Sequence, residues 1–505
     1  MNRKKKVIAN SGAALLSEVV GIICGFILPR MILTYFGSSY NGLTSSITQF
    51  ISYVALLRSG IGGVTRAALY KPLAEKNDYE ISGIINATTQ FMRRVALIFA
   101  GALIVYACVY PFLVSSEFDW LFTATLVLII GISTFAQYYF AVSFQMLLKA
   151  DQREYVSLGI GMITTILNTI VASIIMVMGG TIQIVKLGSA VVFLLGPLLL
   201  NVYVRKHYSI DKNVPPDKKA LSQRWDSFAH QIANFVHGNT DIIILTVFSN
   251  TLEISVYTVH YLVVNGVKKA IVALTTGLEA AFGNMIANNE QKAVRNNFLF
   301  FEWLVFNVST ILFTVTAILI LPFIALYTNN VNDVSYSRPL FAYIIIAAEF
   351  FGCIRIPYET ITRAAGHYRQ TRNGAILEPV LNIIISVALV SKLGLVGVAI
   401  GTLFAMMYRT FQYTFYVSKN FIKRAIWDYS VNWLISLLLI VLSYFICSTY
   451  TPSEMTSYGM WVLYAIIDFL VVLALCLLLN LIFERKMLTQ IVGMIKKRFL
   501  RRKAF

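Results

Sequence analysis

Apolar residues in this chain come in long unbroken runs, and polar residues are confined to the short intervals between them. About twenty apolar residues suffice for a helix to cross the hydrocarbon core of a bilayer. Fourteen stretches meet that condition, at about 8–34, 43–66, 84–114, 120–148, 155–178, 182–204, 225–249, 254–285, 298–327, 339–362, 374–391, 394–418, 430–450 and 459–483. The pattern predicts an all-α polytopic membrane protein. The first stretch follows Arg3-Lys4-Lys5-Lys6 and continues to Phe36. It therefore outruns the roughly 7–15 apolar residues of a secretory signal and is expected to stay as the first span.

Composition sharpens this reading. Of 505 residues, 57% are AVILMFWYC and 13% are charged, whereas soluble globular chains carry about 25% charge. That balance argues against a soluble enzyme. The five cysteines are isolated in apolar runs and form no CxxC or Cys/His cluster, so they read as small buried hydrophobes. The 42 Lys+Arg against 24 Asp+Glu give a net charge of +18, a value that often signals nucleic-acid binding. Their placement points elsewhere. Thirty cations fall in the N-terminus, the C-terminal tail and every second loop, while the alternate loops hold only Arg338 and Lys392. Short cytoplasmic loops carry such an excess, so the split predicts an even number of spans with both termini cytoplasmic. Eight of these cations lie in the 485–505 tail, where they are expected to rest on anionic lipid.

The 211–224 segment, with Pro215-Pro216, reads as a cytoplasmic linker between an N-lobe (1–210, spans 1–6) and a C-lobe (225–424, spans 7–12). Spans 13 and 14 (425–484) and the basic tail (485–505) follow. An internal repeat supports this division. Ile32-Leu33-Thr34-Tyr35-Phe36 recurs as Ile244-Leu245-Thr246-Val247-Phe248. At almost the same offset, Lys149-Ala150 matches Arg363-Ala364 and Leu167-Asn168 matches Leu381-Asn382. Six spans separate the copies, so they share an orientation: two pseudo-symmetric six-helix lobes in a parallel repeat, plus two C-terminal helices. In transporters built this way the substrate site lies between the repeats.

Ten cations remain inside spans. Arg66, Arg93, Arg94, Arg409 and Lys186 lie toward span ends, where long side chains snorkel to water. Arg30, Arg58, Lys268 and Lys269 lie deeper, and a cation at mid-bilayer costs about 2.5–3.5 kcal/mol on insertion scales. The interval from Arg30 to Arg58 has the same length as that from Asp241 to Lys269, so the cations of spans 2 and 8 occupy equivalent positions in the two repeats. Pro29, Gly60-Ile61-Gly62-Gly63 and Gly266 are expected to interrupt the helices beside them, as happens where backbone lines a polar cavity. Such a cluster would suit a diphosphate. The alternative is that Glu18, Asp241 and Glu349 neutralise the cations structurally. In span 10, Arg355, Glu359 and Arg363 share one face at i, i+4 spacing, and Arg355 is deep enough to extend the cation cluster. Glu378 and Asp468 have no evident partner in the sequence. Gln49, Tyr53, Gln137, Tyr138, Asn234, Asn265 and Tyr358 are candidates for lining a cleft and contacting sugar.

The chain resembles the multidrug/oligosaccharidyl-lipid/polysaccharide exporter superfamily, in its branch of Wzx-type repeat-unit flippases. The residues that carry the resemblance are Asn10, Gly25-Phe26, Pro29-Arg30, Phe36-Gly37, Asn41-Gly42-Leu43, Gly60-Ile61, Asn239-Thr240-Asp241 and Gly394-Leu395-Val396-Gly397. The resemblance implies fourteen helices in two lobes and movement of an undecaprenyl-diphosphate-linked oligosaccharide from the cytoplasmic to the outer leaflet by alternating access, for cell-surface polysaccharide assembly in a bacterial plasma (inner) membrane. Basic residues of the related lipid II flippases on spans 1, 2 and 8 correspond to Arg30, Arg58 and Lys268 or Lys269. The third is an arginine in that family, and a lysine lacks its bidentate fork. The implied partners are the lipid-linked oligosaccharide, the bilayer, and a polysaccharide polymerase with chain-length machinery, and nucleic acid is not among them. No cofactor is expected beyond H+ or Na+ coupling, with Glu18 or Asp241 as carrier. The rival readings are a drug or cation/H+ (or Na+) antiporter of the same superfamily and, third, a membrane-embedded polysaccharide polymerase. Short external loops argue against the last, and the chain is expected not to be an enzyme.

Overall fold

A computed structural model describes residues 3–54, 61–114, 117–217, 240–275, 278–424, 430–452, 454–485 and 487. Among them the regular structure is helical. Ten helices are long and apolar enough to cross a membrane, and Val431–Cys447 is a shorter apolar one. The chain packs as two compact units, Met1–Thr258 with Asn330–Val334, and Val259–Asn329 with Ser335–Phe505.

In the first unit the helices are α1 (Arg3–Phe36), α2 (Ser38–Val54), α3 (Ile61–Glu75), α4 (Asp78–Leu113), α5 (Trp120–Phe140), α6 (Val142–Ala150), α7 (Glu154–Val177), α8 (Ile182–His207), α9 (Thr240–Phe248) and the start of α10 (Thr251–Thr275). Polar side chains cap the apolar runs at their water-facing ends. Asp119 accepts from the Leu121 and Phe122 amides at the start of α5, and Asn77 accepts from Glu80 at the start of α4. A core of Leu43, Ile47, Phe99, Tyr110 and Leu126 joins α2, α4 and α5. On α1, by contrast, Leu15, Val19 and Ile23 are more than half exposed, as expected of side chains whose surroundings are lipid.

Asn41-Gly42-Leu43, one of the segments that carried the family resemblance, does its work in this unit. Asn41 donates to the Ser255 hydroxyl at 2.8 Å, and the Ser46 and Thr246 hydroxyls bond at 2.7 Å. Between them, a Cβ on Gly42 would lie 1.8 Å from the Thr251 carbonyl oxygen. The obstacle is backbone, so any side chain forces α2 away from the α9–α10 junction. Gly42→Ala is expected to lower stability by about 1–3 kcal/mol, the usual cost of overpacking. Thermal unfolding in detergent checks this against Gly62→Ala, whose Cβ meets only the Met146 methyl at 3.7 Å.

The second unit holds the rest of α10, then α11 (Leu278–Ala287), α12 (Gln291–Tyr327), α13 (Pro339–Ile354), α14 (Ile356–Ala364), α15 (Tyr368–Leu393), α16 (Leu395–Val417), α17 (Ser430–Cys447) and α18 (Tyr458–Phe483). The last two pack on α12 through Ile311, Ile435, Leu439 and Val472. A polar chain ties α18 to α12: the Trp303 indole donates to Asn480, and Asn480 donates to Asn307, each at 2.7 Å. Asp468, without a partner by sequence, accepts from the Tyr450 hydroxyl at 2.8 Å and the Thr451 hydroxyl at 3.0 Å.

The sequence repeat is also a repeat of helix boundaries. At nearly the offset of the sequence motifs, α2 begins at Ser38 and α10 at Thr251, and α4 begins at Asp78 and α12 at Gln291. The short helices α6 and α14 keep the same offset with their starts at Val142 and Ile356, as do α7 and α15 at Glu154 and Tyr368. Left-handed backbone recurs with them, at Lys76 and Asn289 and at Gln152 and Gly366. Both copies of the Ile-Leu-Thr-x-Phe motif close a helix, at Phe36 and at Phe248.

The helix interruptions fall differently from the expectation. α1 runs through Pro29 and α10 runs through Gly266. Proline removes one amide donor, a loss that membrane helices tolerate, and glycine leaves the backbone ladder intact. α3 is described from Ile61, and Gly60, with the rest of 55–60, lies outside the described residues. The unforeseen interruptions are at Ala141 and Arg355, which are themselves equivalent positions of the repeat. Arg355 precedes Ile356-Pro357, and a proline in the first turn suits a new helix start because its missing N–H has no partner to lose.

Candidate functional site

Deep charged and polar residues occur in both units. In the first, Arg30 is half-buried on α1 and Glu18 is exposed on the same helix. Gln49, Tyr53 and Gln137 are half-buried, whereas Tyr138 is buried and packs edge-on against Phe99 at 5.5 Å. Asp241 is 7% exposed at the start of α9, and the Tyr257 hydroxyl donates to it at 2.9 Å. Tyr53 lies beside Thr240 and Asp241. The structure thus brings together Tyr53 and Asp241, which the sequence had offered for separate roles. Arg58 and Asn234 lie outside the described residues.

In the second unit, α10 carries Asn265, Lys268 and Lys269. Lys268 Nζ lies 2.8 Å from Glu349 Oε2 on α13; the lysine side chain is 32% exposed and the carboxylate 3%. Asn265 is half-buried and Lys269 exposed. The Lys268–Glu349 pair is the neutralisation that the sequence offered as an alternative to ligand binding, and it leaves the lysine reachable from one side. Lys268, Glu349 and Arg355 all lie around Cys353.

Arg355 itself is held by carboxylates. Its Nε is 2.9 Å from Glu359, and its Nη1 donates to Glu378. Glu359 reaches on to Arg363 at 3.7 Å, completing the i, i+4 ladder read from the sequence. Glu378 also faces Arg409 Nε at 3.6 Å, and Arg409 donates to the Thr371 carbonyl at 3.0 Å and the Tyr413 hydroxyl at 2.9 Å. Arg409 is therefore a buried member of a network, 4% exposed, and does not snorkel. One signal in the sequence reveals its partner. Glu378 and Arg409 lie almost equally far along the chain on either side of Gly394, the turn of the α15–α16 hairpin, which puts them at equal depth.

Sequence reasoning missed a second pair. Glu302, 2% exposed on α12, accepts from Arg424 Nη1 at 2.6 Å and from the Tyr358 hydroxyl. Arg424 had counted only as a loop cation. Its guanidinium is pushed further toward the charged form, because the hydrogen bonds and charge of Glu302 outweigh its partial burial. Tyr358, offered as a cleft residue, is fully buried and its hydroxyl is committed. Burial at this position was invisible to a reading that had only its polarity to go on.

No protein-family model matches the sequence, and a search of curated proteins also finds no match. Solved structures do match. The Lipid II flippase MurJ in an inward closed conformation superposes with a TM-score of 0.70, covering 95% of this chain and all of that one at 17% identity. The eukaryotic MATE transporter AtDTX14 gives a TM-score of 0.56 over 83% of this chain and 96% of its own, at 13% identity. The Vibrio cholerae MATE transporter VcmN gives 0.55 over 82% and 98%, at 14% identity. The chain has the fold of MurJ and the MATE transporters. At these identities the likeness is one of fold, and in each of these examples the MurJ/MATE fold serves transport and not enzyme chemistry. Among the described residues no group of three or more His, Cys, Asp and Glu is placed to hold a metal ion.

Proposed function

We propose that this chain is a flippase for undecaprenyl-diphosphate-linked oligosaccharide repeat units, moving them from the cytoplasmic to the outer leaflet by alternating access. The observation that carries the reading is Lys268, a cation on a helix of the second unit that stays one-third exposed while its counter-ion Glu349 is buried. The ammonium has three donors, so a lysine held this way can donate to a phosphate oxygen on its open side while it stays paired with Glu349. Arg30, Arg58 and Lys269 are proposed to complete the diphosphate site, with Arg355 at its margin. Gln49, Tyr53, Gln137 and Asn265 are proposed to meet sugar. A diphosphate suits such a group because each unit-charge pair at about 4 Å contributes roughly 4 kcal/mol at an effective dielectric of 20. The fold agreement with a lipid II flippase over 95% of the chain is in keeping with a lipid-linked substrate. The two lobes related by the repeat, the fourteen spans and the cytoplasmic termini belong to this proposal.

Asp241 favours a second reading. A buried carboxylate approached by Tyr53 and Tyr257 is what a proton- or sodium-coupled antiporter requires, and in the flippase reading it serves as the coupling site.

The test is replacement of Arg58, and separately of Lys268 with Lys269, by alanine in cells that depend on the exporter. Lipid-linked repeat units are expected to accumulate on the cytoplasmic face in both strains. Normal export in both would remove the diphosphate site from these residues. A purified chain that binds a cationic dye and ignores a lipid-linked diphosphate would favour the antiporter.

A further inference from the structure

A cavity of about 880 Å³ opens in the first unit, between α4, the α5–α6 junction, the end of α8 and the 208–216 segment. This volume falls in the range of roughly 300–1,000 Å³ typical of ligand pockets. Its position is fixed by the apolar runs around it. On α4 the uninterrupted apolar stretch begins at Val95, directly after Arg93-Arg94; on α8 it ends at Val204, directly before Arg205; and α5 ends at Phe140. The cavity therefore lies where the apolar stretches of α4 and α8 give way to charge, beside the α5–α6 break at Ala141.

Four cations line it, Arg93, Arg94, Arg205 and Lys212, against one carboxylate, Asp211. That carboxylate is engaged by the Asn213 amide at 2.8 Å. Among the described residues none of the four cations forms a salt bridge, in contrast with Lys268, Arg355, Arg409 and Arg424 in the second unit. Arg93 is steered to the site by lying over the Tyr139 ring, 5.1 Å from its centroid. The floor is built as well: Asn86 donates to the Asp211 and Val214 carbonyls at 2.9 Å each, and Thr89 donates to Ser143 at 2.9 Å. Among the described residues, Asn201 Oδ1 is buried at the cavity wall without a hydrogen-bond partner. All four cations are exposed, and an anion seated among them would be attracted by each. On the hydrocarbon side, Leu97 and Phe140 are 62% and 46% exposed.

Cations at the water boundary and apolar side chains just inside it match an anionic amphiphile. We propose that this cavity binds the phosphate-bearing headgroup of an anionic membrane lipid, whose acyl chains lie along Leu97 and Phe140. Basic pockets between membrane helices bind lipid headgroups in this manner. The cavity shares no described lining residue with the proposed diphosphate cluster, and the inference does not depend on what the protein transports.

The full chain, purified in detergent, is titrated with phosphatidylglycerol, phosphatidylcholine or inorganic phosphate, with retained lipid read by native mass spectrometry and stability by thermal unfolding. Phosphatidylglycerol is expected to be retained and to raise the unfolding temperature, and the other two are not. Arg94→Ala with Arg205→Ala should weaken retention about thirtyfold, since each cation near a membrane surface contributes about 1 kcal/mol toward an anionic lipid. Lys292→Ala with Arg295→Ala, at the start of α12 and expected on the same side, should leave it unchanged. Equal retention of phosphatidylcholine, undiminished binding by the Arg94/Arg205 variant, or equal loss in the Lys292/Arg295 control would overturn the proposal. Competition by inorganic phosphate as effective as by the lipid would assign the cavity to a soluble phosphate ligand and also overturn it. Should the Arg94/Arg205 variant not fold, the comparison of the two lipids on the unmodified chain still decides.

Discussion

Replacing Glu378 with leucine is expected to lower the free energy of unfolding by about 3–5 kcal/mol, the cost of removing one partner of a buried ion pair. Glu378 is 5% exposed and lies between Arg355 and Arg409, themselves 8% and 4% exposed. Arg355 keeps Glu359 when Glu378 is lost. Arg409 keeps only neutral acceptors, among them the Thr371 carbonyl and the Tyr413 hydroxyl, so its charge is left uncompensated away from water. The second member of the test is Glu378→Leu with Arg409→Leu. Removing both charges together should recover most of the loss, because well-packed apolar residues substitute for buried pairs at little cost. Reversible denaturation in detergent measures both. A single variant within about 1 kcal/mol of the unmodified chain would mean that Arg409 reaches water after all.

Lys268→Ala is expected to have two separable effects. It strands Glu349, whose side chain is 3% exposed, and should destabilise the protein by about 3–5 kcal/mol for the same reason as above. It should also abolish lipid-linked oligosaccharide export if Lys268 is a phosphate ligand. Lys268→Met with Glu349→Leu separates the two: stability is expected to return to within about 1 kcal/mol of the original, as apolar replacement of a pair allows, while export stays lost. Export restored along with stability would make Lys268 a counter-ion to Glu349 and no more. The measurement thus decides between the two roles that the sequence left open for this cluster.

How much of the site was legible beforehand varies with the residue. The i, i+4 ladder Arg355–Glu359–Arg363 could be written from spacing alone, because it lies within one turn-to-turn neighbourhood on the chain. Glu378 and Arg409 were recoverable from their nearly equal distance to Gly394, since two helices joined by a tight turn run antiparallel and equal distances mean equal depth. Lys268 with Glu349 and Glu302 with Arg424 join residues from distant parts of the chain. No intervening turn relates their depths, and only packing brings them together. Tyr358 shows the limit from the other side: its polarity suggested a wet cleft, yet the side chain is buried and its hydroxyl is satisfied by Glu302.

The sequence by itself determined that the chain is an all-α polytopic membrane protein, the repeat that reappears in matched helix starts such as Val142 and Ile356, and the uneven sharing of cations between alternate loops. These are properties of length, order and local composition, read along one dimension. The tertiary structure alone decided which face of each segment turns inward. A helix that is apolar on every side carries no amphipathic stripe to fix its rotation, and in lipid no hydrophobic force selects one face over another. Rotation is then set by close contacts such as Gly42 against Thr251. It decides whether an embedded charge meets a carboxylate, as Arg409 does, or lines a cavity, as Arg94 does.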